Sequence, residues 1–246
     1  MADQYFGKYS GIVKDNRDDD KLGRILVSVP AIFDPDETVQ ARPVLPYGVF
    51  FVPEQDTEVW VEFEGGDPNL PLWVGVQPAP GAFADAKSAS PPTVRAVSTA
   101  SGHLLVFDDT SGSEAIVLTD GEHQHVLSLD SGGVTVKEGQ SGNKITISSD
   151  GVVIEHSSGH KISVQSGTVS VSHQAGNSIT VDATSVKAAT AASSIELGPA
   201  GITITGTPLL KLNTGAAPVV RAGIDQGIGN MGAPVVMIPG QFTVLA

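Results

Sequence analysis

The chain has 246 residues, of which only 17% are charged and 28 are Gly, and it contains no Cys. This composition disfavours a helical protein, and it excludes a disulfide framework and thiolate chemistry. The net charge of −13, with no basic stretch to offset it, disfavours nucleic acid as a partner. The N-terminus lacks a basic region followed by an apolar stretch, and no run approaches the length of a membrane span, so we expect a soluble protein without a signal peptide.

The aromatic side chains divide the chain into two parts, since 11 of the 13 precede residue 93. We therefore predict a first domain over residues 1–80 and a linker over residues 81–92, which contains Pro91 and Pro92. The following 154 residues carry almost none of the large side chains on which a compact core is normally built. A single copy of this C-terminal part therefore has too few large apolar side chains to form a compact core.

The first domain shows the pattern of a small β-barrel. Turn residues separate five predicted strands over residues 5–14, 24–30, 42–47, 58–64 and 70–76. Apolar residues alternate with polar ones along the second and fourth strands, which predicts one buried face for each; these residues are Ile25, Val27, Val29, Val59, Val61 and Phe63. Five strands in so short a stretch favour an OB-fold barrel.

An acidic segment follows the first strand. Asn16, Asp18 and Asp20 alternate like the first ligands of a calcium-binding loop. Lys21 then stands where that loop needs Gly, and Val27 where it needs an acid. The segment is therefore predicted to be a solvated hairpin tip.

A short repeat begins at residue 102. Its units start at residues 102, 124, 142, 159 and 176, each with Gly or Gln followed by His or Asn, and each contains two short apolar pairs. Every unit therefore predicts two short strands. The residues expected to form an inward core are Leu105, Phe107, Leu127, Leu129, Ile145, Ile147, Val152, Ile154, Ile162, Val164, Val169, Val171, Ile179 and Val181.

Three architectures use repeats of this kind. A right-handed β-helix of one chain needs longer coils, and a left-handed helix needs a small aliphatic residue at every sixth position, which this repeat lacks. The remaining architecture is an intertwined β-helix, or β-prism, in which three identical chains each supply one face. A homotrimer would explain how a core forms without aromatic residues, and it would also pair strand edges between chains.

Several motifs now resemble a known family. Residues 7–13, 15–18, 22–25, 51–53 and 58–68 resemble the OB domain of contractile-tail spike proteins, which include the T-even central spike, phage baseplate assembly protein V and the type VI secretion spike. Residues 101–110 and the units after them look like the trimeric β-prism that follows this domain. The resemblance therefore implies an all-β homotrimer, with the shaft over residues 93–205.

The resemblance also implies a function. In that family the OB domains sit on a hub at the end of the tail tube, and sheath contraction drives the spike through the target envelope. The hub is expected to be a separate protein here, and the complex to assemble in the bacterial cytoplasm and to leave with the particle. Residues 77–91 leave no room for the lysozyme domain of the T-even spike. Residues 206–246 faintly resemble a PAAR-type tip, so a self-made cap and a platform for a PAAR protein or effector cargo both stay open.

Histidines form the one candidate metal site. Some family members hold an axial iron with a His-x-His pair, and His123 and His125 share the parity of Leu127. However, His125 occupies the repeat position of His103 and Asn143, which favours a corner residue. We therefore predict no metal, cofactor or catalytic residue. The alternatives to a spike are an enzyme on a β-helical scaffold, such as an acyltransferase or polysaccharide lyase, and a trimeric adhesive fibre.

Overall fold

The computed structural model describes residues 4–82 and 92–206, and the backbone of two short strands at 227–228 and 234–235. Within these ranges the regular elements are all strands, apart from one three-residue 3-10 helix at Glu64–Gly66. This confirms the all-β prediction. Most of the predicted linker and nearly all of the predicted tip lie outside the described residues. The chain divides into two compact units, Met1–Gly102 and His103–Ala246.

The first unit contains a closed five-stranded barrel. Its strands follow one another around the barrel in the order β1-β2-β3-β5-β4; β3 and β5 pair in parallel and the other pairs are antiparallel. The strands are β1 (Tyr9–Asp15), β2 (Ile25–Ser28), β3 (Val39–Pro43), β4 (Glu58–Phe63) and β5 (Pro71–Val76), and β6 (Val94–Ser98) follows them in the chain.

The barrel encloses an apolar core. The alternation predicted for the second and fourth strands is confirmed, because all six of its apolar residues are buried. Trp73 is only 1% exposed, and its indole N–H donates to the carbonyl of Gly23 at 2.9 Å. The buried residues of this core are Val13, Ile25, Val27, Val29, Ala41, Val59, Val61, Phe63 and Trp73.

The third strand lies earlier than predicted, at Val39–Pro43 instead of residues 42–47. Val39 and Ala41 pair with Val27 and Ile25 of β2, so the buried side of β2 sets the register. Pro46 has no N–H to donate to a neighbouring strand, so the predicted range could not continue a ladder.

The acidic tip is also different from the prediction. The side chain of Asp18 is only 5% exposed, because its Oδ1 binds the Arg24 guanidinium at 2.5 Å and its Oδ2 accepts the N–H of Leu22 at 2.8 Å. Hydrogen bonds from Arg24 hold the pKa of Asp18 well below its usual range. The prediction of a solvated tip is therefore wrong for Asp18, whose carboxylate closes the loop before β2.

The second unit contains an antiparallel sheet in which each strand pairs with the next one along the chain. At about 4.8 Å per strand, the distance from its first strand to its last is about 50 Å. The strands are β7 (Leu104–Asp108), β8 (Ala115–Thr119), β9 (Val126–Asp130), β10 (Gly133–Lys137), β11 (Lys144–Ser148), β12 (Gly151–Glu155), β13 (Lys161–Gln165), β14 (Thr168–Ser172), β15 (Ser178–Asp182), β16 (Val186–Ala189), β17 (Ser193–Gly198) and β18 (Gly201–Gly206). Two further short strands, β19 (Gly227–Ile228) and β20 (Pro234–Val235), pair with each other.

Tight turns between strands depend on glycine. Gly151 begins β12 with a φ of 136°, and a Cβ atom there would lie 2.0 Å from the carbonyl oxygen of Val164. Gly133 begins β10 in the same way, against the carbonyl of Ile147. Glycine at these positions lets the next strand approach without a clash.

Each strand from β8 to β17 pairs on both edges within the same chain. The expectation that trimerisation pairs these edges between chains is therefore wrong. The repeat is short enough for consecutive strands to satisfy one another, so a partner copy is left to contact a face of the sheet and not its edges.

Candidate functional site

The predicted core residues all lie on one face of the sheet, in two columns. Ile145, for example, stands opposite Ile154, and Ile147 opposite Val152. The first column consists of Leu105, Leu118, Leu127, Val136, Ile145, Ile154, Ile162, Val171, Ile179, Ala188, Ile195 and Ile204. The second column consists of Phe107, Ile116, Leu129, Val134, Ile147, Val152, Val164, Val169, Val181, Val186, Leu197 and Ile202.

These two columns, the apolar stripe, are not buried by the chain itself. Most of its large side chains are exposed, by fractions that run from 36% at Leu127 to 68% at Ile202. Phe63 in the barrel core, by comparison, is 6% exposed. A continuous apolar surface of this kind is characteristic of an interaction site. A single copy of the sheet thus leaves its main apolar face unfilled.

The stripe is longer than the predicted core. It also includes Ile116 and Leu118 of β8, and residues of β16, β17 and β18 such as Leu197 and Ile204. These residues alternate with polar ones in the same way as the predicted core does, so the period-two pattern could have identified them.

The opposite face of the sheet carries ion pairs between neighbouring strands. Glu155 of β12 lies 3.7 Å from Lys144 and 3.6 Å from Lys161, and Lys187 lies 3.2 Å from Glu196. The sheet is therefore amphipathic, and the apolar stripe is the face that needs a cover.

Side chains at the repeat position of His125 form hydrogen bonds between successive loops on one side of the sheet, which we call corners. The Nδ1 of His125 accepts the N–H of Gly139 at 3.1 Å, and the Nδ1 of His103 accepts the N–H of Gly121 at the same distance. Asn143 does the same with its Oδ1, which accepts the N–H of Ser157 at 2.9 Å. In both side chains the accepting atom is three bonds from Cα, so either His or Asn can make this bond. His160 follows the same pattern, since its Nδ1 accepts the N–H of Gln174 at 3.4 Å.

His123 and His125 lie beside Asp120, and one ligand atom of each falls within 4.8 Å of the others. Neither histidine is on a strand, because Gln124 has a φ of 59° and the chain turns there. The strand alternation that would place both side chains on the face of Leu127 therefore does not extend to these histidines. Hydrogen bonds from His123, first from its backbone N–H, lower the pKa of Asp120.

The Nδ1 of His125 is already engaged in a hydrogen bond of the corner. Since a backbone N–H can only donate, the bond from Gly139 leaves the Nδ1 of His125 unprotonated and places the proton of the neutral ring on Nε2. That protonated nitrogen has no lone pair for a metal ion. His125 therefore makes the corner bond expected from its place in the repeat, and the absence of a metal stays a prediction.

Two family profiles match the chain. The profile of the type VI secretion system and phage-baseplate injector OB domain matches residues 9–77, which contain the barrel strands. The profile of the phage baseplate V C-terminal trimerisation domain matches residues 95–175, and the two matches together cover more than half of the chain. The chain belongs to the phage baseplate spike family. No curated protein matches it.

As a member of this family, the spike has a structural role in the baseplate of a phage or phage-like contractile system. The trimerisation domain supports a homotrimer, and the apolar stripe runs through this domain and continues to Ile204, beyond its end at residue 175. Among the described residues, no helix of the spike has the length and apolar character needed to cross a membrane.

Proposed function

We propose that the protein is the central spike of a contractile injection system. Three copies sit through their barrels on a hub at the end of the tail tube, and contraction of the sheath drives them through the target envelope. In this proposal residues 1–80 face the hub, residues 81–92 link, residues 93–205 form the shaft and residues 206–246 form the tip.

The observation that carries this proposal is the half-exposed apolar stripe on a sheet whose family domain trimerises. Complete burial of a Val, Ile or Leu side chain stabilises by about 1.5–3 kcal/mol, so each half-exposed member leaves about 1 kcal/mol to be gained in a trimer. Three stripes turned toward a common axis would bury one another and leave the ion-paired faces in water.

The backbone of the sheet suits a shaft that carries an axial load. Its strands are joined by hydrogen bonds along the direction in which they stack, and these bonds lie within each chain. A dry core between three such sheets would resist bending, because an opened gap would expose apolar side chains to water. Membrane contact would be transient, and the acidic composition favours passage without adhesion to anionic lipids.

Partners beyond the homotrimer follow from the same proposal. A separate hub protein would hold the barrels, and a PAAR-type protein or effector cargo would occupy the tip. The spike itself would act mechanically, without a cofactor or a catalytic residue. It would assemble in the bacterial cytoplasm and leave with the particle.

Cryo-electron microscopy of particles from the producing strain tests the placement. Particles from a strain that lacks this gene should lose density at the tube end, and the wild-type gene should restore both that density and permeabilisation of target envelopes. Ile147→Asp should restore neither, whereas the matched control Thr146→Asp, whose side chain lies on the opposite face, should restore both. Density lost from lateral fibres, with the tube end unchanged, would refute the proposal in favour of an adhesive fibre.

A further inference from the structure

The first column of the stripe has one small member. Ala188 of β16 stands between Ile179 of β15 and Ile195 of β17, whereas every other position of this column holds Val, Leu or Ile. A groove of about 620 Å³ runs past this level, and its apolar first-column lining is Val171, Ile179, Ala188, Ile195 and Ile204. The missing side-chain volume at Ala188 thus makes a hole in an otherwise even column.

The second column has a large member at the same level. Leu197 of β17 is 49% exposed and stands opposite Val186, and the next member toward β15 is Val181. Leu197 does not line the groove of its own chain. Leu197 is thus larger than its column neighbours toward β15, whereas Ile202 of β18, on its other side, is of equal size.

Threefold symmetry brings these two features together. In a ring of three identical sheets, each contact joins two different surfaces, so the first-column side of one copy meets the second-column side of the next. On the basis of the trimer axis proposed above, we propose that Leu197 of one copy packs into the groove over Ala188 of the next copy.

This contact would fix the axial register of the three chains. The units that begin at residues 142, 159 and 176 are 17 residues apart, and their stripe positions hold only Val and Ile, with Ala188 of the third unit as the exception. A slip of one chain by a whole unit would therefore still place apolar residues against apolar residues. The Ala188 hole and the Leu197 side chain break this repetition, since a slipped chain would leave the hole empty and crowd Leu197 against a Val or Ile.

Paired cysteines test the contact, because the chain has no other Cys. The full-length Ala188→Cys/Leu197→Cys variant should form a covalent trimer under oxidising conditions, visible on a non-reducing denaturing gel. Residues 188 and 197 of one chain are diagonal neighbours at about 7–8 Å, beyond the reach of a disulfide. The control is Ala188→Cys/Glu196→Cys, whose second cysteine adjoins Leu197 but lies on the opposite face, and it should run as a monomer.

Exchanging the side-chain sizes at residues 188 and 197 gives a second test of the contact. Ala188→Leu should lower the fraction of denaturant-resistant trimer about tenfold, or about 1.4 kcal/mol, because an overpacked contact is destabilising. Addition of Leu197→Ala should restore most of that fraction. If the cysteine variant is a trimer in native mass measurements but forms no covalent trimer, the Leu197 contact is refuted and the trimer axis stands. If the wild-type chain is not a trimer, the proposed function itself fails.

Discussion

The Nδ1 of His125 accepts the backbone N–H of Gly139 at 3.1 Å, across 14 residues of chain. This bond joins two successive corners of the sheet on the same side. The same role is filled by Asn143, so the two side chains should be exchangeable at this position.

His125→Asn should therefore retain the bond, whereas His125→Leu should lose it and about 1 kcal/mol of stability. Hydrogen exchange followed by mass spectrometry, on the peptide that contains Gly139, measures the difference directly. We expect faster exchange in the Leu variant and unchanged exchange in the Asn variant. Equal protection in all three proteins would show that the imidazole does not hold this amide.

The ion pair between Asp18 and Arg24 predicts an acid-sensitive barrel. Because the pKa of Asp18 is lowered in the folded state, the folded barrel binds a proton less readily than the unfolded chain. The stability that Asp18 contributes is therefore present above about pH 4 and declines as the pH falls below that value. Asp18→Asn should lower the melting temperature at pH 7 and reduce its dependence on pH below about pH 4.

Tryptophan fluorescence can follow this transition separately, since both Trp residues, Trp60 and Trp73, lie in the barrel. Asp19→Asn is the matched control, because it removes the same charge from an exposed neighbour. Identical melting curves for both variants would mean that the carboxylate of Asp18 adds nothing specific.

The apolar stripe predicts a strong difference between the two faces of one strand. Val164→Asp places three carboxylates on the proposed axis and should prevent assembly, because an unpaired buried charge is very costly. Gln165→Asp is the control that should still assemble, because Gln165 lies on the opposite face of β13 and is exposed. Sedimentation velocity distinguishes the outcomes, and a stable trimer of Val164→Asp would place this residue outside the core.

The cluster of Asp120, His123 and His125 predicts no metal retention. Protein purified without chelator should contain substoichiometric zinc, nickel or iron by elemental analysis, and His123→Ala should leave that content unchanged. One metal ion for every chain or every trimer, lost on this substitution, would contradict the assignment of His125 as a corner residue.

Much of the fold follows from local patterns in the sequence. The alternation of Val59, Val61 and Phe63 with acidic residues predicts a half-buried strand without knowledge of its partners. The stripe follows in the same way from pairs such as Ile145 and Ile147. Both depend only on residues that are close in the chain.

The features that the sequence did not predict correctly depend on strand register, on pairing within a loop and on one unusual backbone conformation. The observed third strand differs from the predicted one because β2 sets its register, and Asp18 is nearly buried because Arg24, at the end of the loop, pairs with it. The geometry around His123 could not be foreseen either, since a left-handed residue at Gln124 interrupts the alternation there.

Native mass spectrometry of the full-length protein tests the central claim most directly. A homotrimer built on the apolar stripe predicts one dominant species at three times the 25.3 kDa mass of the chain, stable to dilution. A protein that remains at the mass of a single chain at micromolar concentration would contradict the account.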